Sequence, residues 1–135
     1  MALILDTGPL VAQLDATDPD HHRCVALLQG TSEPRMVPVC VLVEVEYLVR
    51  PWPSGFPALL ADVERGGLEV LDLPRPWLLR AGQLVDRYRD LPLGLVDATV
   101  VAAAEMLNEP KVATLDHRHF SVVKPAHVKT LTLLP

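Results

Sequence analysis

Short apolar runs alternate with longer helix-period stretches along the whole chain, and the breaks between them fall mostly at proline, glycine and aspartate. The apolar run at 2–5 stops at Asp6; Thr7-Gly8-Pro9 follows, then LVAQL. This predicts a buried strand, a tight turn and a helix with Pro9 in its first turn. A second helix is predicted from the Asp18-Pro19-Asp20 cap to Gly30, and a short strand at 36–38. Further on, the pattern predicts a loop at 51–55, a helix at 56–65 stopped by Gly66-Gly67, and a strand at 68–71. Helices at 76–89 and 94–107 and strands at 111–115 and 129–134 complete the series. The 94–107 segment is apolar nearly all round, and Ala98, Ala102, Ala103 and Ala104 permit close approach, so this helix is expected to be buried.

Residues 39–50 fit two patterns. Valines at 39, 41, 43 and 45 alternate as in a strand, which would put Glu44 and Glu46 together on one wet face. In a helix the two glutamates lie roughly 200° apart. Glu46 can then pair with Arg50 at i, i+4, which marks the solvent side and turns Glu44 inward. With either outcome, short apolar strands alternating with helices predict an α/β sandwich around a mostly parallel sheet.

Composition narrows the class. A chain of 135 residues that is 50% apolar and 21% charged suits one compact domain and excludes disorder, collagen-like repeats and coiled coils. Cys24 and Cys40 form no disulfide framework and match no zinc spacing, so a reducing cytoplasmic location is expected. The opening MALILDTG has no basic leader, and Glu44 and Asp97 interrupt the longest apolar stretches, so neither export nor a membrane span is expected. The formal charge of −5 argues against a binder driven by electrostatic attraction to nucleic acid. The acid surplus is concentrated in residues 1–74, which hold eleven Asp/Glu against four Arg; residues 75–135 hold eight Lys/Arg against six acids.

The acids carry the chemistry. Asp6 and Asp116 each follow an apolar strand, and in open parallel sheets ligands bind beyond the carboxyl ends of the strands at a topological switch point. The ordinary reading of each is a helix N-cap, and the same holds for Asp97 at the start of the alanine-rich helix. Taken together they point elsewhere. An ionised Asp97 at the head of a buried helix is expensive unless it caps or binds metal. Asp6, Glu44, Asp97 and Asp116 come from separated segments with no adjacent cation, a set suited to Mg²⁺ or Mn²⁺, which favour hard oxygen ligands. The five histidines form no HExxH motif, and His117 and His119 flank Arg118 in what reads as a surface turn. Ser32, Ser54 and Ser121 lack a GxSxG context for nucleophilic catalysis.

LILDTGPLVAQLD at 3–15, Glu44 within VCVLVEVEYLV, LPLGLVDATVVAAAE at 91–105 and ATLDHRHF at 113–120 resemble, in order and spacing, the PIN-domain nucleases. Within that family the chain looks most like the VapC-type toxins of toxin–antitoxin pairs, and the resemblance spans essentially the whole chain. It implies one PIN-like domain over 1–135, a three-layer α/β/α sandwich and a helix at 39–50. It also implies a metal-dependent endoribonuclease with Asp6, Glu44, Asp97 and Asp116 as catalytic and Mg²⁺- or Mn²⁺-binding residues. Thr7 and Thr114 match the family's hydroxyl positions, where they would orient carboxylates or water. Gly8 departs from the serine or asparagine common at its position. The expected partners are an RNA substrate, a small antitoxin protein and a second copy in a homodimer. Backbone attraction for RNA would come from Arg80, Arg87, Arg89, Arg118 and Lys124 in the basic half. Trp52, Phe56 and Trp77 lie in proline-flanked segments that would suit either core or an exposed partner-binding patch. The rival readings are a receiver-type phosphoacceptor domain, with Asp72 as its one candidate acceptor, and a housekeeping PIN nuclease of RNA processing.

Overall fold

The structure is a computed structural model describing residues 1–135. Five strands and seven helices follow one another as β1 (Leu3–Leu5), α1 (Thr7–Leu14), α2 (His21–Gly30), β2 (Arg35–Pro38), α3 (Val39–Leu48), α4 (Gly55–Glu64), β3 (Glu69–Leu71), α5 (Arg75–Arg87), α6 (Leu95–Met106), β4 (Lys111–Ala113), α7 (His117–Val122) and β5 (Thr132–Leu134). The strands form one sheet in the order β3-β2-β1-β4-β5, every pair parallel. Parallel strands need crossovers, and the near-universal right-handedness of those crossovers places helices on both faces of the sheet. β1 is the central strand, and its residues are at most 1% exposed, as a strand covered on both faces must be.

The ambiguous stretch resolves as helix over Val39–Leu48, two residues short of the expected end at 50, and burial follows a spacing of four. Val41, Val45 and Val49 are fully buried, whereas Val39 and Val43 face out. The alternation of valines is thus split between two helix faces. Glu46 receives Arg50 at 3.0 Å through both Nε and Nη2 on the outer side. α6 is buried from Ala98 to Ala104, with contacts to β1, β2, β4, α3 and α5. Its one buried hydroxyl, Thr99, donates to Val96 O at 2.6 Å and so leaves no polar group stranded in the core. At the end of α4, Gly66 takes φ +77°, a left-handed turn that a β-carbon would disfavour.

Several boundaries shift by one to three residues, and two departures from the sequence expectation bear on the site. β4 stops at Ala113 rather than Leu115, because the Thr114 hydroxyl accepts the Asp116 N–H at 3.0 Å and turns the backbone out of the ladder. The segment after it is a helix, not a surface turn: α7 is anchored by Phe120, which is fully buried. Of the three aromatics of uncertain place, Phe56 and Trp77 are partly buried against the core. Trp52 is more open, and shares a shallow cavity with Val49, Arg50 and Phe56.

Candidate functional site

Strand order runs from β1 through β2 to β3 on one side and to β4 and β5 on the other, so the switch point lies between β1 and β4. Asp6 leaves the carboxyl end of β1, and the 114–116 turn leaves that of β4. Beyond them opens a cleft of about 430 Å³ lined by Asp6, Thr7, Gly8, Glu44, Leu48, Asp97, Leu115 and Asp116. Each acid comes from a different element. Glu44 projects from α3, which starts directly at the end of β2, and Asp97 lies in the first turn of α6. α3 packs on α6, which brings those two to the same end of the sheet as the strand-end pair. A second cavity, between the 31–35 and 66–69 segments, contains acids but no such convergence, and its Glu33 is held by Lys111.

Asp6 is 4% exposed. It occupies the N-cap position of α1 but makes no capping bond; its Oδ2 instead accepts from Thr114 Oγ1 at 2.7 Å, and its buried Oδ1 has no partner in the chain. Burial raises its pKa, partly offset by the Thr114 bond and by the nearby Thr7 backbone N–H, and the charges of Glu44 and Asp116 push it up further. Asp97 is pushed up to about 6, by burial first and then by Asp6, Asp116 and Glu44, with His119 acting in the opposite sense. Asp116 does cap a helix: its Oδ1 accepts the His119 N–H at 3.1 Å, and its Oδ2 meets His119 Nδ1 at 2.5 Å. One ligand atom from each of Asp97, Asp116 and His119 lies within 4.8 Å of the others.

The raised Asp97 pKa has a consequence for stability. Between the unfolded value of 3.8 and about 6 the folded protein binds this proton more tightly, so stability falls as pH rises through that window and levels off above it. The full shift would be worth roughly 3 kcal/mol, and solvent screening of a half-buried group reduces this to about 1–2 kcal/mol. Urea melts of chelated protein from pH 4 to 7 should therefore show a declining free energy, and the decline should be markedly shallower in Asp97→Asn. Parallel profiles would mean that neither burial nor the neighbouring acids raise the Asp97 pKa.

The two threonines are used differently. Thr114, fully buried, donates to Asp6 while accepting from Asp116, and so links two of the acids. Thr7 is beside them, but its buried hydroxyl has no partner. At Gly8 a β-carbon would stand 3.1 Å from Leu115 Cβ, so any side chain would crowd the turn that carries Asp116.

Among the cations expected along an RNA path, Arg118 and Lys124 are exposed on and just after α7, and Arg87 and Arg89 are exposed at the end of α5. Arg89 pairs with Asp86, and Arg87 lies over the Tyr88 ring. Arg80 differs from these in being paired across two helices. Its guanidinium bonds Glu105 at 2.8 and 2.9 Å, near the far end of α6, about 12 Å along the axis from Asp97. It is engaged in the fold and not brought to the cleft.

The site residue that sequence reasoning missed is His119. The signal was its i+3 spacing from Asp116, which aligns the two only once 117–122 is known to be helical.

The donor set fits a hard divalent cation. Most of the donors are carboxylate oxygens, and Asp6 Oδ1 is a buried, unsatisfied acceptor, an expensive arrangement that a cation would relieve.

Comparisons with known proteins identify the family and the fold. The PIN domain family matches residues 3–125. Ribonuclease VapC26 of Mycobacterium tuberculosis is 30% identical over 135 residues, an alignment covering 98% of this chain and all of that protein. Among solved structures, Mycobacterium tuberculosis VapC20, described as a Sarcin-Ricin loop cleaving toxin, superposes with a TM-score of 0.83 at 19% identity, covering 95% of this chain and 99% of that one. VapBC2 from Rickettsia felis, bound to a DNA fragment from its promoter, gives 0.70 at 18% identity over the full length of both chains. At these identities the structural matches speak for the fold.

Proposed function

The chain belongs to the PIN domain family, and on that premise we propose that it is a divalent-metal-dependent endoribonuclease acting as the toxin of a toxin–antitoxin pair. The observation that carries the reading is the convergence of Asp6, Glu44, Asp97 and Asp116 in one cleft at the switch point of the sheet. These four residues are the ones that would hold Mg²⁺ or Mn²⁺. When bound, such a cation offsets the negative charge that develops on a phosphodiester and makes water a stronger acid. The chain's own contribution is placement. Thr114 holds Asp6 in one orientation with its second oxygen free, and the α7 N-terminus and His119 hold both oxygens of Asp116. An ionised carboxylate of the cluster takes the proton of the attacking water, and in-line displacement breaks the bond from phosphorus to the 3′ oxygen, which takes a proton from solvent, leaving a 5′-phosphate and a 3′-hydroxyl.

RNA, itself anionic, is repelled by the empty cleft, so attraction to its backbone falls to Arg118 and Lys124 and to Arg87 and Arg89 at the end of α5. We further propose a small antitoxin that covers the cleft, a homodimer as the working assembly, and a cytoplasmic location suited to the free Cys24 and Cys40. Toxin–antitoxin complexes among the structural neighbours support the partner. No helix is long and apolar enough to cross a membrane. The receiver-type reading loses its basis, since Asp72 follows the edge strand β3, two strands and about 10 Å from Asp6. The test is incubation of purified protein with end-labelled RNA in Mn²⁺, Mg²⁺ or EDTA. Cleavage in metal only, leaving 5′-phosphate ends, is expected. Cleavage that persists in EDTA, or none in any condition, overturns the proposal.

A further inference from the structure

The His119 ring bridges two segments that each carry or lead to an acid. Leu91 O can only accept, so Nε2 donates to it at 3.1 Å, while Nδ1 meets Asp116 Oδ2 at 2.5 Å. With the His119 backbone N–H on Asp116 Oδ1, both oxygens of that carboxylate are held by one residue. Leu91 belongs to the short connection between α5 and α6. The N–H groups of Leu91 and Leu93 both donate to Tyr88 O at 3.1 Å, Leu93 is buried, and Gly94 is the N-cap of the helix that bears Asp97.

We propose that His119 is a positioning residue that braces the α5–α6 connection against the start of α7 and so sets the separation of Asp97 from Asp116. Although one of its ring nitrogens lies close enough to the two acids to serve as a ligand, both nitrogens are already engaged. Ligation would break a contact that holds the site together. The role rests on the nuclease reading of the cleft, but the brace exists in metal-free protein and is measurable there.

His119→Asn keeps a side-chain amide near Asp116 Oδ2 and cannot reach Leu91 O; His119→Ala removes both ring contacts. In chelated protein, amide exchange at Leu91 and Leu93 is expected to speed up about tenfold in both variants, while amides of the central strand β1 keep their protection. Calorimetric Mn²⁺ affinity should fall about 10- to 100-fold in His119→Ala and less in His119→Asn, as for residues that orient ligands. RNA cleavage should lose kcat with KM nearly unchanged. Pulsed electron resonance of the Mn²⁺-loaded wild type should show no coupling to an imidazole nitrogen. Unchanged exchange at Leu91 and Leu93, or nitrogen coupling to Mn²⁺, would overturn the brace. If wild-type protein fails to cut RNA while the exchange and affinity changes appear, the nuclease reading fails and the brace stands.

Discussion

Replacing Asp97 by Asn should lower RNA cleavage by about a thousandfold or more, roughly 4 kcal/mol of transition-state stabilisation, while the protein stays folded. The carboxamide has nearly the volume of the acid and sits in a helix first turn whose N-cap is Gly94, so no capping bond is lost. What disappears is a negative charge. In the chelated protein that charge is unfavourable, because burial and then the charges of Asp6, Asp116 and Glu44 push its pKa up to about 6, so the variant should be at least as stable as wild type at neutral pH. The same change therefore separates stability from activity in opposite directions, a combination that a merely structural Asp97 would not produce. Single-turnover cleavage of labelled RNA in saturating Mn²⁺, alongside circular dichroism and a urea melt, measures both. Activity within tenfold of wild type in a folded variant would remove Asp97 from the catalytic set.

The sheet and the two strand-end acids were legible because they follow from local chemistry. Apolar runs such as Leu3–Leu5 are buried on both faces, and a polar residue directly after one must lie at the rim. Glu44 was legible only conditionally, since valines at every second position serve a strand as well as a helix. The choice is made by tertiary burial of Val41, Val45 and Val49. α7 was illegible for a related reason: DHRHF is polar at four of five positions, and the helix is held by one side chain, Phe120, packed into the core. Without the helix, the relation of His119 to Asp116 has no geometric meaning. The threonines carry a similar lesson. Thr7 and Thr114 stand beside equivalent acids in sequence, but only Thr114 sits on the turn that faces the neighbouring strand, where its hydroxyl reaches Asp6.

Arg80 shows the limit most directly, because its partner lies 25 positions away and lone surface arginine is the default reading of its sequence context. Its pairing predicts a second large effect. The Glu105 side chain is 6% exposed and accepts both guanidinium bonds as well as the Ala126 N–H at 3.0 Å. Burial alone would raise the Glu105 pKa, but the Arg80 and Ala126 bonds more than offset it and hold the carboxyl below its ordinary value. Arg80→Met removes the cation and leaves that carboxylate uncompensated, which should cost about 3 kcal/mol, at the low end for broken buried pairs because Arg80 itself is partly solvated. Replacing both partners, Arg80→Met with Glu105→Leu, should recover most of the loss, since two apolar side chains need no desolvation of charge. Urea melts of the two single variants and the double complete the cycle. In each folded variant the RNA affinity should match wild type, because the pair stands at the far end of α6 from Asp97. A stable Arg80→Met protein with weakened RNA binding would return this arginine to the substrate path and reverse the assignment.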